Sequence, residues 1–184
     1  VFTSSSCIKK ISFTGSANVG KQLSSQAAKQ LQRVSMELGG NAPSIIFEDA
    51  NLETAVEHVC ATKFRNAGQV CIATNRILVQ RSVLPAFTKL LQSRIATLVP
   101  GNGLIPGVTL GPIINQRALE RIHNLVMKAK AQGANILCGG YRLKLTGYFY
   151  APTLLIDVSP DNCIFKEEIF GPIAAITVFD TELE

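Results

Sequence analysis

The sequence lacks several features that would assign it to well-known classes of protein. It has no tryptophan, and no apolar run is long enough to span a bilayer. Its first residues lack the basic leader, apolar stretch and small-residue cleavage site of a signal peptide. Five cysteines occur without a CxxC pair or a His/Cys cluster, which argues against a zinc site or a disulfide framework. We therefore expect no membrane association and a reducing compartment, either the cytoplasm or the mitochondrial matrix.

Charge is also sparse. Only 17% of the residues are charged, the net charge is +5, and only Lys9 and Lys10 are adjacent basic residues. Without a basic cluster or interleaved aromatic residues, we expect no nucleic-acid partner. Apolar residues make up 47% of the 184 residues, which suits a buried core in one domain or in parts of two. The sequence does not begin with Met, which favours a start inside a longer chain.

Short apolar runs alternate with helical patterns along the chain. Strands are predicted at residues 8–14, 33–38, 43–47, 76–80, 135–138, 151–158 and 173–179. Helices are predicted at 18–32 and 85–98, from an Asn51 cap to about residue 65, and from an Asn115 cap to Gly133. This alternation predicts an α/β fold with a largely parallel sheet.

A glycine-containing segment, Gly15–Gly20, lies between a predicted strand and a predicted helix. Glycines there let backbone N–H groups approach a phosphate, although an isolated match is equally typical of a tight turn. Lys21 completes most of a P-loop pattern. However, the pattern requires a Ser or Thr that binds magnesium at the position of Gln22. Nucleotide hydrolysis is therefore the less favoured function for this segment.

Three further segments contain groups suited to catalysis. The segment Glu37-Leu-Gly-Gly has two interpretations. It is an ordinary strand end, or the two glycines leave a gap in which the Glu37 carboxylate can reach a water molecule. Cys71 follows the glycine-containing loop Gly68-Gln-Val, and a thiol in a favourable electrostatic setting is an effective nucleophile. The segment 167–172 is predicted to be a loop with a turn. We interpret the remaining cysteines as small buried apolar residues: Cys7, Cys60, Cys138 and Cys163.

Taken together and in this order, the four segments resemble the aldehyde dehydrogenase superfamily over essentially the whole chain. The motifs that carry the resemblance are Phe13-Thr-Gly-Ser with Gly20, Glu37-Leu-Gly-Gly, Gly68-Gln-Val-Cys71 and Glu168-Ile-Phe-Gly-Pro172. The resemblance implies an aldehyde dehydrogenase-like α/β fold. Residues 1–39 would be the C-terminal part of a Rossmann-type NAD(P)-binding domain, and residues 40–184 most of the catalytic domain.

The resemblance also implies an activity, the oxidation of an aldehyde to an acid with NAD or NADP. Cys71 would be the nucleophile that forms a thioester, and Glu37 the general base that activates water. The residues implied to bind the cofactor are Gly15, Ser16, Gly20, Leu38, Glu168 and Phe170.

The segment Phe64-Arg-Asn-Ala-Gly-Gln is similar to the succinate-semialdehyde dehydrogenase branch of the family. The similarity implies that Arg65 binds the far carboxylate of the substrate, since a guanidinium forms two parallel hydrogen bonds to a carboxylate. The alternative is that Arg65 caps the preceding helix. Ala73 stands where some members of the branch have a second cysteine, which excludes a disulfide switch there.

Two other functions stay open at this point: oxidation of another small polar aldehyde, and a non-catalytic structural or interaction role on the same fold. The presence of both Cys71 and Glu37 argues against the second. The family's Pro-Trp-Asn segment, which completes its oxyanion hole, is absent here. We therefore expect the 184-residue chain alone to be inactive. The resemblance also implies that the full-length protein is a homo-oligomer, either a dimer or a tetramer.

Overall fold

The predicted alternation of strands and helices runs along the whole chain in the computed structural model, which describes residues 1–184. The strands are β1 Lys10–Thr14, β2 Arg33–Glu37, β3 Ala42–Ile46, β4 Thr74–Gln80, β5 Asn135–Cys138, β6 Thr153–Ile156 and β7 Ile173–Phe179. The helices are α1 Ala17–Ala28, α2 Leu52–Phe64, α3 Leu84–Ala96, α4 Gln116–Ala131 and α5 Cys163–Lys166. Two compact units result, Val1–Gly40 and Asn41–Glu184.

The first unit, Val1–Gly40, is a β-α-β element. Strands β1 and β2 pair in parallel and α1 connects them. Helix α1 ends four residues before its predicted end, because Leu31 adopts a left-handed φ of 55° and turns the chain. The turn buries the side chain of Gln32, whose Nε2 lies within 3.1 Å of three carbonyl oxygens in the N-terminal segment. This one amide therefore fixes the path of the chain before β1.

The second unit, Asn41–Glu184, is built on a five-stranded sheet in the order β3-β4-β7-β6-β5. All neighbouring pairs are parallel except β5 with β6, which is antiparallel. The central strand β7 is apolar except for Thr177, and its first five residues are buried, as expected for a strand covered on both faces. Pro43 lies in the edge strand β3, where its missing N–H costs no ladder bond. The prediction of a largely parallel sheet is thus confirmed.

Two asparagines begin helices as predicted. The Oδ1 of Asn51 accepts a hydrogen bond from the N–H of Thr54 at 2.9 Å, and Asn115 does the same for Ala118 at 2.9 Å. Gly133, with a φ of 101°, follows the end of α4. The apolar face of α4 enters the core of the second unit, where α2 also packs against α3. No helix combines the length and apolar character that a membrane span requires.

The expectation that four of the cysteines are buried is wrong for Cys7, which is exposed in a turn that neither a helix nor the sheet covers. Cys60 and Cys163 are buried, and Cys138 is partly so. Helix α5 was not predicted, since four residues are too few for a helical period to show. Asn162 starts this helix by accepting a hydrogen bond from the N–H of Ile164.

Candidate active site

In the first unit, the predicted phosphate-binding segment lies at the carboxyl ends of β1 and β2. The N–H of Gly15 donates to the carbonyl oxygen of Glu37 at 3.0 Å, which ties the two strand ends together. Ser16 is the N-cap of α1, and its Oγ accepts from the N–H of Val19 at 3.4 Å. The structure thereby brings Gly15, Ser16 and Glu37 to one edge, with the Glu37 side chain exposed.

The start of α1 has the chemistry that a pyrophosphate requires. The first N–H groups of a helix have no partner inside the helix, and the first turn of α1 contains no acidic residue. Gly20 is buried against the end of β2, where an added Cβ would lie 2.6 Å from Cδ2 of Leu38. This close contact sets the position of the helix. The residues of this unit thus fit the phosphates of a dinucleotide.

In the second unit, Cys71 follows an unusual backbone segment. Asn66, Ala67 and Gly68 are consecutive residues in the left-handed region, with φ values of 52°, 54° and 73°. Non-glycine residues rarely adopt this region, and each costs roughly 1–3 kcal/mol. Such a segment persists only when its surroundings hold it.

Gln69 supplies most of these contacts. Its Nε2 donates to the carbonyl oxygens of Asn66 at 3.0 Å and Pro112 at 3.1 Å, and its Oε1 accepts from the N–H of Ile114 at 2.9 Å. Asn66 returns a hydrogen bond from Nδ2 to the carbonyl oxygen of Gln69 at 3.1 Å. The segment 65–69 is therefore fixed on both sides, and the Cys71 side chain that follows it is exposed.

The second predicted loop of this unit, 167–172, is held by two polar side chains from other elements. Asn75 in β4 is 3% exposed; its Nδ2 donates to the carbonyl oxygen of Glu167 and its Oδ1 accepts from the N–H of Ile169, both at 2.9 Å. The Arg121 guanidinium, on α4, donates to the carbonyl oxygens of Glu168 and Ile169. The backbone of the loop is thus bonded from two directions.

The two loops touch where both have a glycine. A Cβ added to Gly68 would lie 2.1 Å from the carbonyl oxygen of Gly171, far inside van der Waals contact. Phe170, beside this contact, has a left-handed φ of 48° and stays partly exposed. The loop that precedes Cys71 and the loop that contains Glu168 therefore pack directly on each other.

Arg65 occupies the C-cap position of α2. Its side chain is exposed and forms no ion pair or hydrogen bond, so it does not bond the last carbonyls of the helix. The guanidinium is consequently available to a ligand.

A cavity of about 740 Å³ lies on the second unit beside the two loops. Asn66, Gln69, Phe149 and Phe170 contribute to its lining. Among the predicted site residues only Phe170 lines it, whereas Cys71, Arg65 and Glu168 do not.

Sequence reasoning missed the buried Lys63 and the residues that support the loops, namely Gln69 as a tether, Asn75 and Arg121. Asn75 gave no signal, because it lies between Thr74 and Arg76 in the polar first part of β4. Arg121 gave none, because it lies on the helix α4 among other charged residues.

Lys63, in the last turn of α2, is the most unusual of these residues. It is 1% exposed, and its Nζ has no hydrogen-bond partner. Burial lowers the pKa of this amine to about 7, and the charge of Glu168 acts in the opposite direction. A buried amine without a hydrogen bond is costly and therefore uncommon.

The comparisons with known proteins agree with this arrangement of motifs. The aldehyde dehydrogenase family matches residues 1–184. The chain is 44% identical over 182 residues to succinate-semialdehyde dehydrogenase GabD of Escherichia coli, which covers 99% of this chain and 38% of that protein. It is also 44% identical over 182 residues to glutarate-semialdehyde dehydrogenase of Pseudomonas putida, with the same 99% and 38% covered.

Among solved structures, the crystal structure of succinate-semialdehyde dehydrogenase from Burkholderia pseudomallei superposes with a TM-score of 0.97 at 43% identity. The match covers 99% of this chain and 38% of that one. The chain belongs to the aldehyde dehydrogenase family. Its relatives include dehydrogenases named for two different semialdehydes, and it spans about 38% of their length.

Replacement of Lys63 by Met should raise the free energy of unfolding of the 184-residue chain at pH 7. Because the pKa of Lys63 is about 7 when folded and roughly 10.4 when unfolded, the unfolded chain binds more protons between these values. The stability of the native sequence should therefore rise with pH from 7 to 9, by up to about 1.4 kcal/mol per pH unit from this group. Met contributes no such rise.

Urea denaturation at pH 7, 8 and 9 measures the effect, as the difference between the native sequence and Lys63→Met. The exposed Lys89 on α3 provides the matched control, since Lys89→Met removes the same charge without a change in burial. Parallel pH profiles for the native sequence and Lys63→Met would show that the amine titrates normally.

Proposed function

We propose that this chain is the central, nucleophile-bearing part of an NAD(P)-dependent semialdehyde dehydrogenase. The observation that carries the proposal is the exposed Cys71, two residues after a strained and fully tethered loop that packs against the loop containing Glu168. We call the protein that combines this chain with the segments present in its relatives the complete enzyme. The tests below use it, because we expect the 184 residues alone to be inactive.

In this proposal the first unit is the end of the cofactor-binding domain and the catalytic domain begins at residue 40. Gly15, Ser16 and the start of α1 would hold the pyrophosphate, with Gly20 and Leu38 fixing the helix. In the second unit, Glu168 and Phe170 would hold the nicotinamide ribose and ring. When bound, the cofactor supplies the acceptor for the two electrons that the aldehyde loses.

The chemistry then depends on two side chains. The thiolate of Cys71 attacks the aldehyde carbon, and the N–H of Cys71 donates to the resulting oxyanion. Oxidation leaves the acyl group as a thioester on the sulfur. Glu37 accepts a proton from a water molecule whose oxygen attacks the acyl carbon, and the thiolate departs as the acid forms.

Arg65 is proposed to bind a carboxylate at the far end of the substrate. Its exposed guanidinium without an intramolecular partner supports this role over that of a helix cap. The relatives named for succinate and glutarate semialdehyde both act on aldehydes that carry such a carboxylate. Succinic semialdehyde is our proposed substrate, and a related small polar aldehyde is the alternative.

We further propose that the complete enzyme forms a dimer or tetramer in a reducing compartment. The five cysteines are all free, which suits such a compartment. Large apolar side chains on the second unit, such as those of Leu104 and Ile114, are 91% and 75% exposed and would be covered by other segments or subunits.

Replacement of Cys71 by Ala should abolish aldehyde oxidation, with a loss of more than about 10³-fold in kcat, because no other group can form the thioester. Cofactor binding and the fold should be retained. The matched control is Cys7→Ala, which removes the other exposed thiol. Equal activity of the two variants would favour the non-catalytic role for this chain.

Replacement of Glu37 by Gln should slow steady-state turnover by about 10²–10³-fold, since a general base contributes on this order. A single burst of reduced cofactor should persist, because thioester formation precedes hydrolysis. Stopped-flow absorbance at 340 nm separates the two phases. Unchanged turnover would mean that Glu37 is only the end of a strand.

Replacement of Arg65 by Ala should lower kcat/KM for succinic semialdehyde by roughly 30- to 1,000-fold, the cost of an unpaired carboxylate. Butanal, which has the same number of carbons and no carboxylate, should lose little. Arg117→Ala, at an exposed arginine of α4, is the control for a general charge effect. Equal losses with both aldehydes would assign Arg65 to the structure of the helix end.

A further inference from the structure

The strand that follows the proposed nucleophile is irregular near its start. In the pairing of β3 with β4, Ala42 lies opposite Thr74, and the next residue, Pro43, lies opposite Arg76. Asn75 is therefore an extra residue in β4 and forms a β-bulge. Bulges are frequent next to active sites, where they change the direction of a side chain. Here the side chain at the bulge is a carboxamide that is almost fully buried.

Both ends of the Asn75 carboxamide are hydrogen bonded. Its Nδ2 donates to Oδ1 of Asn41 at 2.6 Å and to the carbonyl oxygen of Glu167 at 2.9 Å. Its Oδ1 accepts from the N–H of Ile169 at 2.9 Å. An aspartate of the same shape would place an oxygen against the two oxygens that now accept from Nδ2, so these bonds require an amide.

Asn41, the residue before β3, extends this arrangement. Its Nδ2 donates to the carbonyl oxygen of Phe165 at 3.2 Å, and its own carbonyl oxygen accepts from Nε of Arg76 at 3.1 Å. The Arg76 guanidinium also lies over the ring of Phe165, 5.4 Å from the ring centre. One network of side chains thus joins the start of β3, the bulge in β4 and the segment 165–169.

This network connects two parts of the proposed site that must meet during the reaction. Cys71 precedes the bulge by one short turn of chain, and Phe170 directly follows the bonded Ile169. Arg121 ties the loop to α4, whereas Asn75 ties it to the strand that continues from the nucleophile. The aldehyde carbon on the sulfur loses a hydride to the cofactor, so the spacing of these parts sets the rate. A displacement of about 1 Å can cost on the order of 10²-fold in rate.

We propose that Asn41 and Asn75 are a pair of positioning residues for hydride transfer. Their hydrogen bonds fix the backbone of residues 167–169 relative to Cys71, and with it the place of Phe170 beside the nicotinamide ring. The inference rests on the proposed function, since it takes Cys71 as the nucleophile and Phe170 as a cofactor contact. In this role both asparagines act through the loop and touch no reacting atom.

The test compares two reactions of Cys71 in the complete enzyme, for the native protein, Asn41→Ala, Asn75→Ala and the double variant. Stopped-flow absorbance of the reduced cofactor, at saturating NAD+ or NADP+, gives the rate constant and the amplitude of the first turnover of succinic semialdehyde. Hydrolysis of p-nitrophenyl acetate is the second reaction, because this activated ester forms a thioester on Cys71 without a cofactor. A merely structural role would lower the amplitude and the ester hydrolysis together, since both report the number of folded sites.

Each single variant should lower the rate constant of the first turnover by roughly 10- to 100-fold, while the amplitude and the ester hydrolysis stay at the native level. Because both side chains act on one loop, the double variant should be no slower than the slower single variant. Asn41 is only partly buried, so Asn41→Ala decides the question alone if Asn75→Ala does not fold. The control, Gln30→Ala, removes an exposed amide from the first unit and should change neither reaction.

An unchanged rate constant in either folded single variant overturns the inference, as does a loss of ester hydrolysis in proportion to the loss of rate. Effects that multiply in the double variant also overturn it, because the two asparagines would then act separately. A failure of the proposed function gives a different result: the native protein would reduce no cofactor, or Cys71→Ala would keep both reactions. Circular dichroism and thermal melting confirm that each variant is folded.

Discussion

The close approach of Gly68 to Gly171 is the constraint on which the candidate site of the second unit depends. A single added Cβ at Gly68 would lie 2.1 Å from the opposing carbonyl oxygen, so the contact requires a glycine at position 68. To reach it, the chain before Cys71 passes through three left-handed residues, and Phe170 beside Gly171 adopts a left-handed φ as well. The strain in both loops thus follows from one contact between their backbones.

That strain is offset by hydrogen bonds from side chains that take no part in the chemistry. Gln69 ties its own loop to the 112–114 segment, while Asn75 and Arg121 bond the opposite loop from β4 and α4. Because Asn75 is almost fully buried, loss of its bonds would leave unpaired polar groups in the interior. The reactive groups can therefore be exposed while the backbone that carries them stays fixed, as preorganised sites require.

The sequence predicted the existence and order of nearly all elements, because apolar periodicity and capping asparagines are local signals. Boundaries moved where tertiary contacts decide them, as at Leu31, where the turn that buries Gln32 shortens α1. The motif residues could also be named in advance. Their supports could not, since Asn75 bonds Ile169 across 94 residues and no local pattern predicts such a pair. The exposure of Cys7 was missed for a similar reason: burial depends on what packs over a turn.

The fixed backbone also bears on the choice between two substrates. Succinic and glutaric semialdehyde share a carboxylate and differ by one methylene, a difference worth only about 1–3 kcal/mol in most pockets. An arginine at position 65 recognises the group that both share, so it does not by itself separate them. Under the proposed roles, however, Arg65 and Cys71 flank the tethered segment 66–69, and its hydrogen bonds limit how far the two can move apart. A fixed distance between the carboxylate-binding group and the nucleophile would favour the aldehyde whose length matches that distance. Discrimination between the two aldehydes would then depend on Gln69 and Asn66, which hold this segment, as much as on Arg65.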